Sequence, residues 1–209
     1  MTGKERYHHG DLRNALLQAA IAILESDGLD ALSLRAVAAR AGVSHAAPAH
    51  HFPTLKSLLT ALAADAFERF ETAMRVERAR AASDPHSQLA AAGDGYVRFA
   101  RACPQQFRLM FSPTRLDWQD PHFHAAGQAA YQQLADVCAP VAELRGDTSV
   151  AGRAALERMV WSAIHGYVQL LLSGQFGYPL DGNPDLPPRP DIESLLLGPK
   201  GSDPYGKGV

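Results

Sequence analysis

Residues 33–52, SLRAVAARAGVSHAAPAHHF, decide the fold of this 209-residue chain, because they describe two short helices joined by a glycine turn. Ser33 can cap the first helix, whose apolar residues recur at helical spacing and form one buried face. Gly42 ends this helix, since glycine enters left-handed backbone geometry without steric penalty. Ser44 can cap a second helix at residues 45–51. The pattern is that of a helix-turn-helix whose second helix is small and polar enough to lie in a DNA major groove.

Amphipathic helical patterns flank this stretch on both sides. Residues 11–28 carry apolar side chains on one stripe and end at Gly28, a helix stop. Residues 52–70 open another helix, with leucines and aromatic residues on its inner face. Pro48 falls in the first turn of the second predicted helix, where few amides have intrahelical partners. A helix pair of this spacing also occurs in bundles that do not bind DNA, so the flanking helices are what favour DNA binding.

These elements, in this order, resemble the TetR/AcrR family of bacterial one-component regulators, and the resemblance is close over residues 7–70. In that family the recognition helix usually closes with a tyrosine, any residue, a histidine and a phenylalanine. Ala49, His50, His51 and Phe52 occupy those places here. The tyrosine that touches a phosphate or a base in relatives is therefore missing. Its loss leaves histidines and a serine as the polar candidates for DNA contact.

The resemblance implies a set of DNA-contacting residues: Arg35, Ser44, His45, Ala49, His50, His51 and Lys56. Lys56 matches the family lysine that begins the fourth helix and meets the DNA backbone, and an ordinary solvated lysine is the alternative. Because an unperturbed imidazole titrates near pH 6.5, the histidines predict a DNA affinity that rises as the pH falls. Alternatively, His51 packs beside Phe52 and the other histidines face water.

A second resemblance lies in the last long helix that the sequence predicts, at residues 149–173. Trp161, His165 and Gly166 stand at a spacing similar to the WHG signature of one TetR C-terminal domain class. Trp161 and His165 are one helical turn apart and share a face, so both could line an effector cavity. Gly166 would let a second backbone or a ligand approach closely. The alternative is a core tryptophan over a hydrogen-bonded histidine, with the glycine as a packing notch.

The helical spacing of apolar residues and the positions of glycine and proline predict an all-α chain in three parts. The first is a DNA-binding domain with a three-helix helix-turn-helix at residues 7–70, and the second is a helical effector-binding and dimerisation domain at 71–177. A proline- and glycine-rich tail follows at 178–209, with a short helix at 191–197. Within the second part, Asp120 can cap a helix, and Pro140 should bend or end that helix.

Two sets of residues in the second domain are candidates for its function. Aromatic and sulfur side chains could line an apolar effector pocket, although any helical core uses the same residue types: Phe99, Cys103, Phe107, Met110, Phe111, Phe123, Trp161 and His165. The family resemblance implies that the last long helix pairs with its copy across a two-fold axis. The candidate contacts of this dimer are Ile164, Val168, Leu171 and Leu172.

Composition limits the other classes of function. A formal net charge of −2 and a pI near 6.5 lack the basic signature of a dedicated DNA binder, although five of the nine histidines lie in the first quarter of the chain. The two cysteines form no CxxC or Cys/His cluster, so we expect reduced thiols in a cytoplasmic protein, with no metal and no cofactor. No apolar run is long enough to span a membrane, and no nucleophile-base pair is recognisable.

The sequence therefore predicts a homodimeric transcriptional regulator. By the resemblance, it is a repressor that binds double-stranded, palindromic operator DNA and is released by a small apolar effector. An alternative of another class is a helical small-molecule-binding protein or enzyme that keeps the fold but no longer reads DNA. The acidic pI and the missing tyrosine favour this alternative.

Overall fold

The computed structural model of the protein describes residues 9–177 and 189–200, which contain only helices, turns and loops. Eight α-helices follow one another in the described residues: α1 (His9–Asp27), α2 (Leu34–Arg40), α3 (Leu55–Arg80), α4 (Pro85–Ala102), α5 (Pro104–Met110), α6 (Pro121–Leu144), α7 (Val150–Leu172) and α8 (Ile192–Leu197). Short 3₁₀ helices lie at Leu29–Ala31, Ala47–His50 and Gln175–Gly177. The predicted all-α class is confirmed, while most of the predicted tail lies outside the described residues.

The chain divides into two compact units. The first comprises the described parts of residues 1–67 and 103–127, and the second comprises the described parts of residues 68–102 and 128–209. The first break lies close to the domain boundary that the sequence predicts near residue 70. Residues 103–127 differ from the prediction, which places them in the effector domain, because they cluster with the helix-turn-helix.

Hydrogen bonds explain why residues 103–127 belong to the first unit. Gln106 on α5 is 2% exposed, and its backbone N–H and side-chain amide both donate to Glu25 Oε1 of α1, at 3.2 and 3.1 Å. In the loop that follows α5, Asp117 N–H donates to the buried Thr60 Oγ1 of α3 at 2.9 Å. A buried polar side chain without such a partner would be costly, so these bonds specify where the segment packs.

Most of the predicted helix limits are confirmed in the described residues. Ser149 caps α7 by accepting from Gly152 N–H, and Asp120 accepts from Phe123 N–H at the start of α6. The sequence predicts that Pro140 bends or ends its helix, and the helix does not end there, because α6 continues to Leu144. An internal proline removes only one amide donor, and the buried side chains on the neighbouring turns of α6 keep the helix packed: Val137, Cys138, Val141 and Ala142.

The short helix predicted at 191–197 is confirmed as α8, which packs against α4. Arg189, just before α8, donates to both carboxylate oxygens of Glu193 at 2.8 and 2.9 Å. It also donates to Asp94 at 2.5 Å and to the carbonyl of Ala90 at 3.1 Å, both on α4. Since the Glu193 side chain is only 7% exposed, its charge depends on this bidentate partner.

Helices α3 and α4 approach closely at Gly95 in the second unit. A Cβ atom at position 95 would lie 2.5 Å from Met74 Cα, which belongs to the backbone and cannot rotate away. The absence of a side chain therefore sets the distance between these helices. Gly127 on α6 is different, since no described atom lies within 4 Å of its would-be Cβ.

We expect Gly95→Ala to lower the free energy of unfolding by about 2 kcal/mol, because overpacking against backbone outweighs the gain in helix propensity. Gly127→Ala is the matched control, and it should raise stability by about 0.5–1 kcal/mol. Urea unfolding followed by circular dichroism measures both. Equal stability of the two variants would contradict the close approach at Gly95.

Candidate functional site

The turn after α2 has the geometry that the sequence predicts. Ser33 Oγ accepts from Ala36 N–H at 3.1 Å and so caps α2. At the other end, Gly42 adopts φ 70°, a left-handed conformation that favours glycine. Gly42 N–H donates to the carbonyl of Ala39 at 3.2 Å, and Val43 N–H donates to the carbonyl of Ala38 at 3.0 Å. These two bonds form the Schellman motif. The helix therefore ends at a defined point and in a defined direction.

The second helix of the motif is shorter and tighter than predicted. It is a 3₁₀ helix at Ala47–His50, and its N-cap residue is Ala46, so the prediction that Ser44 caps it is wrong. The reason lies in Pro48, which has no N–H to give to the carbonyl of Ser44. That carbonyl accepts instead from Ala47 N–H at 3.0 Å, an i to i+3 bond.

Burial separates the two sides of this segment. Pro48 is buried and Phe52 is 2% exposed, and the Arg13 guanidinium of α1 lies 5.5 Å from the centre of the Phe52 ring. His51, which lies between Pro48 and Phe52 in the sequence, is half-buried. The other predicted DNA contacts on the motif are all exposed: Arg35, Ser44, His45, Ala49 and His50. The apolar anchors thus leave a row of polar and small side chains facing solvent.

Lys56 lies in the first turn of α3 and is exposed. Thr54 and Ser57 close this helix end reciprocally, since Ser57 N–H donates to Thr54 Oγ1 at 3.0 Å and Thr54 N–H donates to Ser57 Oγ at 3.1 Å. Within the described residues, no carboxylate forms a salt bridge with Lys56. An ammonium group beside a helix N-terminus is suited to a phosphate oxygen.

The predicted pocket residues fall into both units. Cys103, Phe107, Met110, Phe111 and Phe123 belong to the first unit, whereas Phe99, Trp161 and His165 belong to the second. In the first unit the aromatic members pack around Phe67 of α3. Its ring centroid lies 5.7 Å from that of Phe111 and 5.6 Å from that of Phe123. Phe107 and Met110 have no exposed surface, so this group is a packed core in the present conformation.

In the second unit, the WHG residues meet a partner that the sequence analysis missed. Tyr96 of α4 is buried, and its hydroxyl lies 2.7 Å from His165 Nδ1. Burial lowers the pKa of His165, so its imidazole is neutral at ordinary pH. Trp161 is 39% exposed, with its ring centroid 6.3 Å from that of His165. The sequence does not indicate this contact of Tyr96, because the contact depends on which helix packs against α4.

The predicted dimer residues are only partly available to a partner. Ile164 is 4% exposed and Val168 has no exposed surface, so both belong to the core of this chain and their assignment to the dimer contact is corrected. They face inward because the buried stripe of α7 follows the 3.6-residue period through these positions. Leu171 and Leu172 are half-buried. The exposed apolar residues on α6 and α7 are instead Tyr131, Leu144, Val150, Met159, Trp161 and Leu170.

Other chemistry is limited in the part of the chain that the structure describes. An open groove of about 510 Å³ in the second unit is lined by residues outside the predicted pocket, namely Glu68, Arg69, Thr72, Ala73, Val76, Glu77 and Arg98. No group of three or more metal-ligating side chains occurs among the described residues. Cys103 and Cys138 are free and buried, and burial together with Glu157 raises the pKa of Cys138 to about 12, which disfavours a reactive thiolate.

None of the helices in residues 9–177 and 189–200 is both long enough and apolar enough to cross a bilayer.

Comparison with known proteins assigns both parts of the chain to one family. Residues 16–62 match the model of bacterial regulatory proteins of the tetR family, and residues 89–185 match the model of the tetracyclin repressor-like C-terminal domain. The two matches cover the helix-turn-helix and the WHG residues respectively.

Individual relatives agree with this assignment. An uncharacterised HTH-type transcriptional regulator of Mycobacterium tuberculosis is 29% identical over 163 residues, which cover 78% of this chain and 71% of the relative. A solved structure from a Rhodococcus species, of unknown function, has a TM-score of 0.71 at 32% identity and covers 93% of this chain and 94% of its own. The TetR family regulator PfmR from Thermus thermophilus has a TM-score of 0.60 at 20% identity, covering 87% and 96%, and shows the fold alone. With a helix-turn-helix at one end and the matching helical domain after it, the chain belongs to the TetR family of bacterial transcriptional regulators.

Proposed function

We propose that the protein is a homodimeric repressor that binds a palindromic operator and leaves it when a small apolar molecule binds. The observation that carries this proposal is the row of solvent-facing residues on the helix-turn-helix. Pro48 and Phe52 are buried, while His45 and His50 face solvent. A short turn anchored on one side can place its other side against base edges in a major groove.

A dimer is part of the proposal because a single 3₁₀ turn reaches too few base pairs for useful specificity. The exposed apolar residues of α6 and α7 provide a surface for the second copy: Tyr131, Met159, Trp161 and Leu170. We call these four residues the dimer surface. Gly166 lies on the same helix, and no described atom lies within 4 Å of its would-be Cβ, so a partner backbone could approach there.

The proposed effector is small and apolar, because clusters of packed aromatic side chains lie in the interiors of both units. In the second unit the ring of Phe70 lies 5.4 Å from Phe99 and 4.7 Å from Tyr96, between centroids. A ligand that inserts among such rings replaces apolar contacts with apolar contacts and leaves no polar group unpaired. Phe99, Trp161 and His165 remain the proposed contacts in this unit.

Gel-shift titration of the purified protein against the DNA upstream of its own gene tests the proposal. We expect a specific complex that resists competition by random DNA. Absence of any specific complex at micromolar protein would contradict the repressor and favour the alternative of a helical small-molecule-binding protein or enzyme that no longer reads DNA.

The dimer can be tested with Gly166→Arg, which should leave the fold of one chain intact but block the approach of a second. Sedimentation velocity should find a dimer of the parent protein at micromolar concentration and a monomer of the variant. Val150→Arg, an 88% exposed position at the start of the same helix, is the control and should remain dimeric. A monomeric parent protein, with and without DNA, would refute the dimer.

Lys56→Ala should weaken binding to all DNA sequences alike, because a phosphate contact carries no sequence information. The slope of log affinity against log salt concentration should become shallower by roughly 0.9 per monomer. Lys200→Ala is the control, since Lys200 Nζ donates to Ser87 Oγ at 2.7 Å in the second unit. An unchanged slope in Lys56→Ala would make Lys56 an ordinary solvated lysine.

Operator affinity should rise as the pH falls from 8 to 6 at fixed ionic strength. A phosphate stabilises the imidazolium over the neutral ring, so binding takes up protons in the region where histidine ordinarily titrates, near pH 6.5. One contacting histidine should contribute roughly fivefold, and two should contribute about tenfold or more. Fluorescence anisotropy of labelled operator measures the profile. A slope that persists in both His45→Gln and His50→Gln would show that these histidines do not make the contact.

A further inference from the structure

We infer that Tyr96 is a positioning residue for the dimer surface, because its buried hydroxyl joins Trp161 and His165 of α7 into one hydrogen-bonded chain. This inference rests on the homodimer proposed above. Tyr96 lies on α4 and outside the WHG signature, yet it contacts the two polar members of that signature at once.

The contacts of Tyr96 place it at the centre of the hydrogen-bonded chain of side chains. Its hydroxyl lies 2.7 Å from His165 Nδ1, and it also accepts a hydrogen bond from Trp161. Its ring is 6% exposed and packs edge to face on Phe70, with centroids 4.7 Å apart. On the other side of the imidazole, His165 Nε2 lies 3.0 Å from the side-chain amide of Gln169. The hydrogen-bonded chain therefore begins at the exposed indole of Trp161, passes through the buried phenol of Tyr96 and the imidazole of His165, and ends at Gln169 on the exposed face of α7.

The chemistry of these groups fixes the direction of the Trp161 bond. An indole N–H can only donate, so Tyr96 Oη accepts from Trp161. Burial raises the pKa of Tyr96 above its usual range, with the Trp161 bond opposing, and the phenol keeps its proton. The imidazole of His165 is held on both sides, by Tyr96 Oη at Nδ1 and by Gln169 Nε2 at Nε2, and these two contacts select one tautomer of the ring.

The orientation of Trp161 depends on this chain. Part of the indole belongs to the dimer surface, while its N–H is tied to a hydroxyl that cannot move because the phenol ring is buried. A side chain held in place before association loses less conformational entropy when the partner binds. Removing the Tyr96 hydroxyl frees the indole and leaves His165 Nδ1 without its hydrogen-bond partner. The hydroxyl thus acts on dimer affinity through Trp161, without touching the partner.

Tyr96→Phe tests the inference because it keeps the ring on Phe70 and removes only the hydroxyl. Sedimentation equilibrium of the full chain should show a dimer dissociation constant about fivefold higher than that of the parent protein, the effect of one hydrogen bond. The ¹⁵N shifts of His165, assigned by their absence in His165→Gln, should report one fixed tautomer in the parent and a mixture of tautomers in Tyr96→Phe. Tyr167→Phe, which removes the hydroxyl of a buried tyrosine on α7, is the control and should change neither measurement.

The outcomes separate this inference from the proposed function. A dimeric parent with an unchanged dissociation constant in Tyr96→Phe would overturn the positioning role alone, and so would an unchanged His165 tautomer. A monomeric parent would overturn the dimer and, with it, this role of Tyr96. If circular dichroism shows that Tyr96→Phe does not fold, His165→Leu breaks the same chain from its half-exposed side. It should weaken the dimer to a similar extent, and an unchanged dissociation constant in that variant would again reject the inference.

Discussion

The left-handed backbone at Gly42 fixes the direction in which the second segment of the helix-turn-helix leaves α2. Its φ of 70° closes the helix with two hydrogen bonds, and a side chain at this position would be strained. The chain that follows must then bury Pro48 and Phe52 against the same unit. Before and between these anchors, Ser44, His45, Ala49 and His50 are exposed. The presentation of the histidines is thus a consequence of one glycine conformation and two buried apolar side chains.

The segment at residues 103–127 ties the proposed sensing residues to the DNA-binding unit. Two bonds from Gln106 to Glu25 and one from Asp117 to Thr60 hold it against the first unit. Five of the eight predicted pocket residues lie within this segment. A ligand bound among them would therefore change the packing of the unit that carries the exposed histidines. In the proposed function, this change of packing would lower the affinity for DNA.

The sequence allowed two interpretations of the WHG residues, as the lining of a cavity or as a core tryptophan over a hydrogen-bonded histidine, and the structure combines features of both. Trp161 is too exposed to be a core residue, whereas His165 is committed to hydrogen bonds with Tyr96 and Gln169. In such a polar cluster, removing one member leaves another member without its hydrogen-bond partner. Gly166 beside it has open space at its would-be Cβ within the described chain, which suits contact with a second copy.

Local rules in the sequence determined the all-α class, the Ser33 cap, the Gly42 turn and most helix limits, because each depends on residues close in the chain. The 3₁₀ form of the recognition segment follows from Pro48, but its extent depended on which residues were buried. Only the tertiary structure decided that Ile164 and Val168 are core, since an apolar helix has the same pattern whichever stripe meets its own chain. The tertiary structure also decided that residues 103–127 group with the first unit and that Tyr96 pairs with His165. Both join positions far apart in sequence, and no local periodicity encodes which helices pack together.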